Sequence, residues 1–404
     1  MKRVAFIADS HFSERSRWEE CTRLHQWIEG DIAERGVDLI CHCGDVFDAK
    51  STPQERLVVA EWFQDLATHA PVVVVRGNHD ALGDLEILGK LKSRHEIIVQ
   101  EAANVHVVAG CAVLALAWPR KSEVLAKLTA EQAAAGGEIA KDALRNVIRG
   151  FGAQVAEFDG PRIMVTHAMV GGSVTSTGQP LVGFDFELGL DELAASNAHF
   201  VAVGHIHKGQ SWEYQGVPIV YPGSPRRTAF GEAEAKGYVI ANLEHFDGEL
   251  TCEESPGVRW YCEGWEFIEA PATPMLLAEW HWAPEHIGLP GDVVVPAGFV
   301  SMEEERFDDP KGAEIRLRYW VDSDQRAQAK TAAEEVRSRL LSLGAVSVKL
   351  EEVVETSTRA RTPEIVAART LTDKLRVLWR AKGIKLGDRE PSVLSKLNEL
   401  EASV

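Results

Sequence analysis

Asp9 and His11 close the apolar run "VAFIADSH", Asp45 closes "LICHCGD", and Asn78 and His79 close "VVVVRGNHD". His167 closes "IMVTH", and His205 and His207 close "FVAVGHIH". Runs of this kind read as buried strands, and an amide, an imidazole or a carboxylate at such an end is costly to desolvate unless it has a partner. Taken singly, each is an ordinary strand-end polar group with a local hydrogen bond. Five strand ends repeating the pattern in order are not explained that way. Imidazoles, carboxylates and a neutral amide form a donor set of intermediate hardness, suited to Mn²⁺, Fe²⁺ or Zn²⁺ rather than to Ca²⁺ or a thiolate-bound structural zinc. The set exceeds what one ion needs, and a carboxylate can bridge two ions about 3.5 to 4 Å apart. Asp45 is the expected bridge. Gly44, Gly77 and Gly204, beside the donors, are expected to allow close backbone approach.

Such a convergence needs a fold that brings strand ends together. The first 260 residues alternate short apolar strands with amphipathic helices, an α/β layered pattern. "RVAFIA" (3–8) is a strand; Trp18, Cys21, Leu24, Ile28 and Ile32 follow at helical spacing; "VDLICHC" (37–43) is a strand again. Thr52 and Pro53 read as an N-cap and first helical residue, opening a helix that precedes "PVVVV". In such sheets ligands bind outside the carboxyl ends of the strands, where all of the polar residues lie. Cys41 and Cys43 share one face of the second strand and read as small apolar core groups rather than thiolate ligands. Further strands are expected at 113–118, 162–166, 199–203, 217–221 and 237–243, with one or two helices inserted at 121–158. The stretch 270–298 is rich in Pro and Trp and reads as irregular. A β-α-β unit over 313–353 and helices opening at Thr362–Pro363 and at Pro391 complete the chain. The expected organisation is thus a main domain over 1–260, a small second domain over 261–357, and a helical tail over 358–404.

The net charge of −18 argues against broad non-specific adhesion to nucleic acid, without excluding a local basic groove. The N-terminal apolar run ends at Asp9, short of the roughly 18 residues of a membrane span. Six cysteines with no Cys-x-x-Cys pair suggest reduced thiols and a cytoplasmic protein.

The ordered set "DSH", "GD", "GNHD", "TH" and "GHIH" resembles the calcineurin-like metallophosphoesterases. Within them, "GDVFDAKSTP" and "YPGSPRRTAFGEAEAKGY" resemble the SbcD-type nuclease subunit of the double-strand-break repair complex. The resemblance implies a four-layer α/β sandwich, with a small α+β second domain and C-terminal helices, two Mn²⁺ ions and DNA as substrate. It gives Asp9, His11, Asp45 and His207 to one metal and Asp45, Asn78, His167 and His205 to the other. His79 is left as the acid, with Asp80 as its orienting partner. Some members carry His where this chain has Asp48, so Asp48 is given no catalytic role. Two cations would draw charge from a phosphodiester and ease deprotonation of water. An imidazole can then protonate the departing sugar oxygen, typically worth about 10²- to 10⁴-fold.

The leading expectation is therefore a Mn²⁺-dependent DNA exonuclease and endonuclease acting in repair or recombination with an SbcC-type coiled-coil ATPase; a homodimer is compatible with this. A phosphodiesterase or phosphatase acting on a small nucleotide or a phosphoprotein would share every ligand, but would not need the sequence beyond 260. A DNA-end-binding scaffold with an idle site would not need the full ligand set. Arg226 and Arg227 are candidate phosphate contacts. From Arg359 to Arg389 there are nine Lys or Arg against three Asp or Glu, a local +6 in the chain of net −18. With its apolar helix stripes, that tail is the expected grip on the ATPase.

Overall fold

A computed structural model describes residues 1–120, 137–176, 187–245, 260–285, 298–301, 309–355, 368 and 370–401. The strands are β1 (Lys2–Ile7), β2 (Leu39–His42), β3 (Val72–Val75), β4 (Ile97–Gln100), β5 (Ala103–Val108), β6 (Cys111–Leu116), β7 (Arg162–His167), β8 (Met169–Val170) and β9 (Glu187–Leu188). They continue with β10 (Phe200–Gly204), β11 (Gln210–Tyr214), β12 (Val217–Tyr221), β13 (Gly237–His245), β14 (Trp260–Glu269), β15 (Met275–Trp282), β16 (Phe299–Ser301), β17 (Glu314–Asp322) and β18 (Ser347–Glu355). Helices α1 (Trp18–Arg35), α2 (Pro53–His69), α3 (Gly137–Gln154) and α4 (Leu190–Ala194) accompany the first fourteen strands.

Period-2 alternation explains how the layers stack. One six-stranded sheet has the order β14-β13-β1-β2-β3-β4, the other β11-β12-β10-β7-β6-β5. Val73 and Val75 face a cluster shared with Val113, Val165 and Phe200 of the second sheet. Val72 and Val74 point the other way, into a cluster with Ile28 of α1 and Trp62 and Phe63 of α2. On the far side of the second sheet, Leu114, Met164 and Val203 pack with Ile148 and Phe151 of α3 and Leu193 of α4. Three cores between four layers make the α/β sandwich that the sequence implied. The inner strands are parallel and buried on both faces, which is why they read as unbroken apolar runs.

Local signals behave as their chemistry requires. Thr52 caps α2, its side chain accepting from the Glu55 N–H while Glu55 accepts from the Thr52 N–H, with Pro53 as first residue. Cys41 and Cys43 are fully buried in the inter-sheet core. Within 121–158 the described helix is α3; residues 121–136 lie outside the described residues. The stretch 270–298, expected to be irregular, contains β15. Its Trp and His side chains are half-buried or buried on both faces, which hides the alternation a strand usually shows.

By contact the chain divides into two units. The first is Met1–Leu277 with Pro310–Arg316 and Gly344–Ser347; the second is Ala278–Asp309, Leu317–Leu343 and Val348–Val404. In the second, strand order is β16-β15-β17-β18, and helix Arg326–Ser342 buries Ala329, Ala333, Val336 and Leu340 along one stripe. Of the tail, residues 356–367, where the Thr362–Pro363 helix start was expected, lie outside the described residues. The described helices are Leu371–Ala381, capped by Thr370, and Glu390–Glu401. No helix among the described residues is long and apolar enough to cross a membrane.

Candidate metal centre

Parallel register sets the strand ends level: Ile7 lies beside His42 in one sheet, and Gly204 beside His167 in the other. The loops after the neighbouring strands β1 and β2 then lock to each other. Asp9 N–H donates to Gly44 O at 3.1 Å, and His11 N–H to Asp45 O at 3.1 Å. Four site residues take positive φ: Asp9 at 52°, His11 at 46°, Asp45 at 54° and His205 at 111°. For non-glycine residues this costs about 1 to 3 kcal/mol each and persists where surrounding structure imposes it. Two glycines make the approach feasible. At Gly44, φ is 93°, and a Cβ would meet His167 Nδ1 at 2.6 Å; at Gly77 a Cβ would fall 2.1 Å from Asp45 Oδ1.

The side chains expected to meet do so. Asp9, His11 and His207 place donor atoms within 4.8 Å of one another, as do Asp9, Asp45 and His167. The Nε2 atoms of His11 and His207 lie 3.0 Å apart. Asn78 Oδ1 sits 2.8 Å from His167 Nε2 and 2.9 Å from His205 Nδ1. Asp45 stands between the groups, with Oδ2 3.3 Å from His167 Nε2 and 3.8 Å from His11 Nε2. Its other oxygen, Oδ1, accepts the His79 N–H at 2.8 Å, so only Oδ2 is turned to both histidines.

Outer contacts fix the rings. His167 Nδ1 donates to Cys43 O at 2.8 Å. His207 Nδ1 lies 3.0 Å from Thr228 Oγ1, which donates to Glu232 Oε1 at 2.8 Å, and Lys236 Nζ pairs with Glu232 at 2.6 Å. Trp118 walls one side, its ring 4.8 Å from that of His205. A cleft of about 310 Å³ opens at His205 and His207, lined also by Ile206 and Phe230.

Electrostatically the cluster is strained by its own charges. Burial raises the Asp9 carboxyl, only partly offset by His167 and His207. Burial would also raise Asp45, but His167 and then His11 outweigh it and hold Asp45 well below the carboxylate range. Burial pulls His167 down, yet the Asp45 carboxylate lifts it to about 9; His205, buried and next to His167, is pushed to about 3. Two buried carboxylates, ring nitrogens aimed at one another and an amide oxygen shared by two imidazoles are a fit for divalent cations. Such cations would supply positive charge to Asp9 and Asp45. The donor types fit ions of borderline hardness.

Not every expected role matches its place. His79 is exposed, its ring edge-on to His11 with centroids 4.9 Å apart. Its orienting partner is not Asp80: His79 Nδ1 donates to the main-chain O of Asp48 at 2.7 Å. Asp80 is fully buried and points away, accepting the N–H groups of Asp45 at 3.0 Å, Phe47 at 2.9 Å and Gly77 at 2.8 Å, so it braces the ligand loops. Arg226 and Arg227 are also turned inward. Arg226, 1% exposed, donates to His11 O at 2.7 Å, and Arg227 to the carbonyls of Glu232 at 2.8 Å and Glu234 at 2.9 Å. With Arg226 buried and Arg227 half-buried, guanidiniums committed to carbonyls in this way brace loops. Sequence reasoning missed Thr228, Glu232, Lys236 and Trp118. The first three stand in "TAFGEAEAK", whose close-set Glu and Lys were the available signal.

This sandwich, with metal-donor residues at the carboxyl ends of both sheets, defines a metallophosphoesterase. The family model of the calcineurin-like phosphoesterase superfamily domain matches residues 1–245, and the chain belongs to that family. The family works at a dimetal centre and hydrolyses phosphoesters, and the residues described above are its candidate ligands here. Among curated proteins the chain is 28% identical over 290 residues to the SbcD component of the SbcCD nuclease of Bacillus subtilis (strain 168), covering 64% of this chain and 72% of that one. It is 24% identical over 262 residues to the uncharacterized metallophosphoesterase YhaO of the same organism, covering 63% of this chain and 58% of that one, less than two thirds of its length. Among solved structures, a dimetal phosphatase from Danio rerio is 10% identical with a TM-score of 0.40, over 67% of this chain and 97% of that one.

Proposed function

We propose that the chain is a Mn²⁺-dependent nuclease subunit that hydrolyses phosphodiester bonds at DNA ends together with a coiled-coil ATPase. The observation that carries the chemistry is the arrangement around Asp45: Oδ2 faces His11 and His167, while Oδ1 holds the backbone of His79 beside them. Asp9, His11, Asp45 and His207 would hold one ion, and Asp45, Asn78, His167 and His205 the other. When bound, such ions offset the charge of a phosphodiester and lower the pKa of water. The chain's own residues do the rest. Asp80 and the backbone of Gly77 fix the ligand loops. The carbonyl of Asp48 holds His79 Nδ1, leaving Nε2 as the nitrogen that can deliver a proton to the departing sugar oxygen. Ile206 and Phe230 give the cleft an apolar wall against which a nucleoside could rest. DNA as substrate and the ATPase as partner rest on the similarity to the Bacillus nuclease component. In the tail, helix Leu371–Ala381 has Leu371, Leu375 and Leu378 along one face and buries none of its residues, a form suited to docking in a partner's groove.

The test is digestion of double- and single-stranded DNA, with a small chromogenic phosphodiester run beside them. Chelation should abolish cleavage, and Mn²⁺ should restore it better than Mg²⁺, because imidazole-rich sites favour softer ions than magnesium. Removing residues from 358 onward should spare cleavage of short single-stranded DNA and abolish co-purification with the ATPase. Hydrolysis of the small ester with DNA left intact would instead favour a small-substrate phosphodiesterase; an insoluble truncated chain would show the tail to be part of the fold.

A further inference from the structure

The histidines of the two donor groups differ in how their outward nitrogens are held. His207 presents Nε2 to His11 while its Nδ1 lies against Thr228 Oγ1 at 3.0 Å, and His167 presents Nε2 to Asp45 while its Nδ1 is held by Cys43 O at 2.8 Å. His11 also presents Nε2 inward, 3.0 Å from His207 Nε2. Its Nδ1 is enclosed and satisfies no hydrogen bond, on a side chain only 3% exposed. The group it faces is Oδ1 of Asp48, at 3.3 Å. Asp48 is held in that place by its main chain, its N–H donating to Phe12 O at 3.3 Å next to His11. Its carbonyl accepts the ring N–H of His79 at 2.7 Å. The side chain of Asp48 is 51% exposed, so its location is no by-product of core packing.

We propose that Asp48 is a positioning residue of the metal centre, whose carboxylate accepts a hydrogen bond from the Nδ1–H of His11 and thereby commits the Nε2 lone pair to a cation. A neutral imidazole can ligate through one nitrogen only if the proton resides on the other, and a carboxylate there fixes both tautomer and ring orientation. At 3.3 Å the contact is within hydrogen-bond reach but not aligned; a cation on Nε2 would make the Nδ1 proton more acidic, and alignment of the contact is then expected. The main-chain carbonyl of the same residue orients His79, so one residue aligns a metal ligand and the proton donor. This inference rests on the metal reading of the site and is independent of DNA being the substrate.

The measurement is Mn²⁺ binding by calorimetry to the full-length chain and to its Asp48→Ala, Asp48→Asn and Asp48→Glu forms. Partners of this kind are typically worth about 10- to 100-fold in metal affinity. Asp48→Ala should weaken one of the two binding events by about 10-fold or more, and Asp48→Glu should recover most of the loss. Asp48→Asn keeps an accepting oxygen without its charge and should fall between. Melting temperatures of the chelated proteins should agree. As an independent reading, the Zn²⁺-loaded chain should show the His11 ring protonated at Nδ1 in ¹⁵N–¹H spectra, with that signal displaced in Asp48→Ala. Affinities within twofold across the series, equal losses in the Ala and Glu forms, or a lowered melting temperature of the chelated Ala form would each overturn the proposal. An unaltered chain that binds no cation would overturn the metal reading itself.

Discussion

Asp45→Asn should lose one of the two bound ions and lower phosphodiester cleavage by roughly 10³-fold, since metal stabilisation of the transition state is worth several kcal/mol. The reason lies in how the carboxylate is already used. Oδ1 accepts the His79 N–H at 2.8 Å, so an amide at this position would turn its oxygen to that donor. Its NH₂ would then occupy the place of Oδ2, which lies 3.3 Å from His167 Nε2 and 3.8 Å from His11 Nε2. That group has no lone pair to offer, and it directs two protons at the cations. The carboxylate also holds His167 protonated when no cation is present, so the substitution should lower the pKa of that imidazole as well. Elemental analysis of the purified variant gives the occupancy directly. Two ions bound as tightly as in the unaltered chain would remove Asp45 from the bridging position.

His79→Ala should behave in the opposite way, keeping both ions while cleaving DNA about 10²-fold or more slowly. Its side chain is exposed and bonds only to a carbonyl of the Asp48 loop, so little stability is at stake. The contact that matters to the metal centre is made by the His79 backbone N–H, which alanine retains. The loss should be largest for substrates with a poor leaving group, such as DNA, and small for a nitrophenyl ester whose leaving group needs no protonation. Equal losses on both substrates would assign His79 some task other than proton donation, and loss of metal would make it a ligand.

The strand-end donors were legible in the sequence because inner parallel strands are buried on both faces. Their ends therefore stand out as abrupt changes from Val and Ile to Asp, Asn and His. The outer strands β4, β5, β11 and β14 were not read, since half their side chains face outward and blur the apolar pattern. Direction was harder to read than type. Asp80 follows His79 directly, yet in the bend after β3 its carboxylate turns away and serves three backbone N–H groups instead. Arg226 and Arg227 carry the charge a phosphate contact requires, but nothing in a residue's type tells that its guanidinium turns inward to carbonyls. Asp48 carries no signal of its own in the sequence. Its contacts with His11 and His79 arise from a loop geometry that no local pattern encodes.

The most direct measurement is a titration of the chelated full-length chain with Mn²⁺ in which bound ions and DNA cleavage are followed together. The account predicts that binding saturates at two ions per chain and that cleavage rises only as the second is filled, because the shared Asp45 makes either site alone incomplete. Saturation at a single ion with full cleavage of DNA, or two bound ions with no phosphodiester hydrolysed, would contradict it.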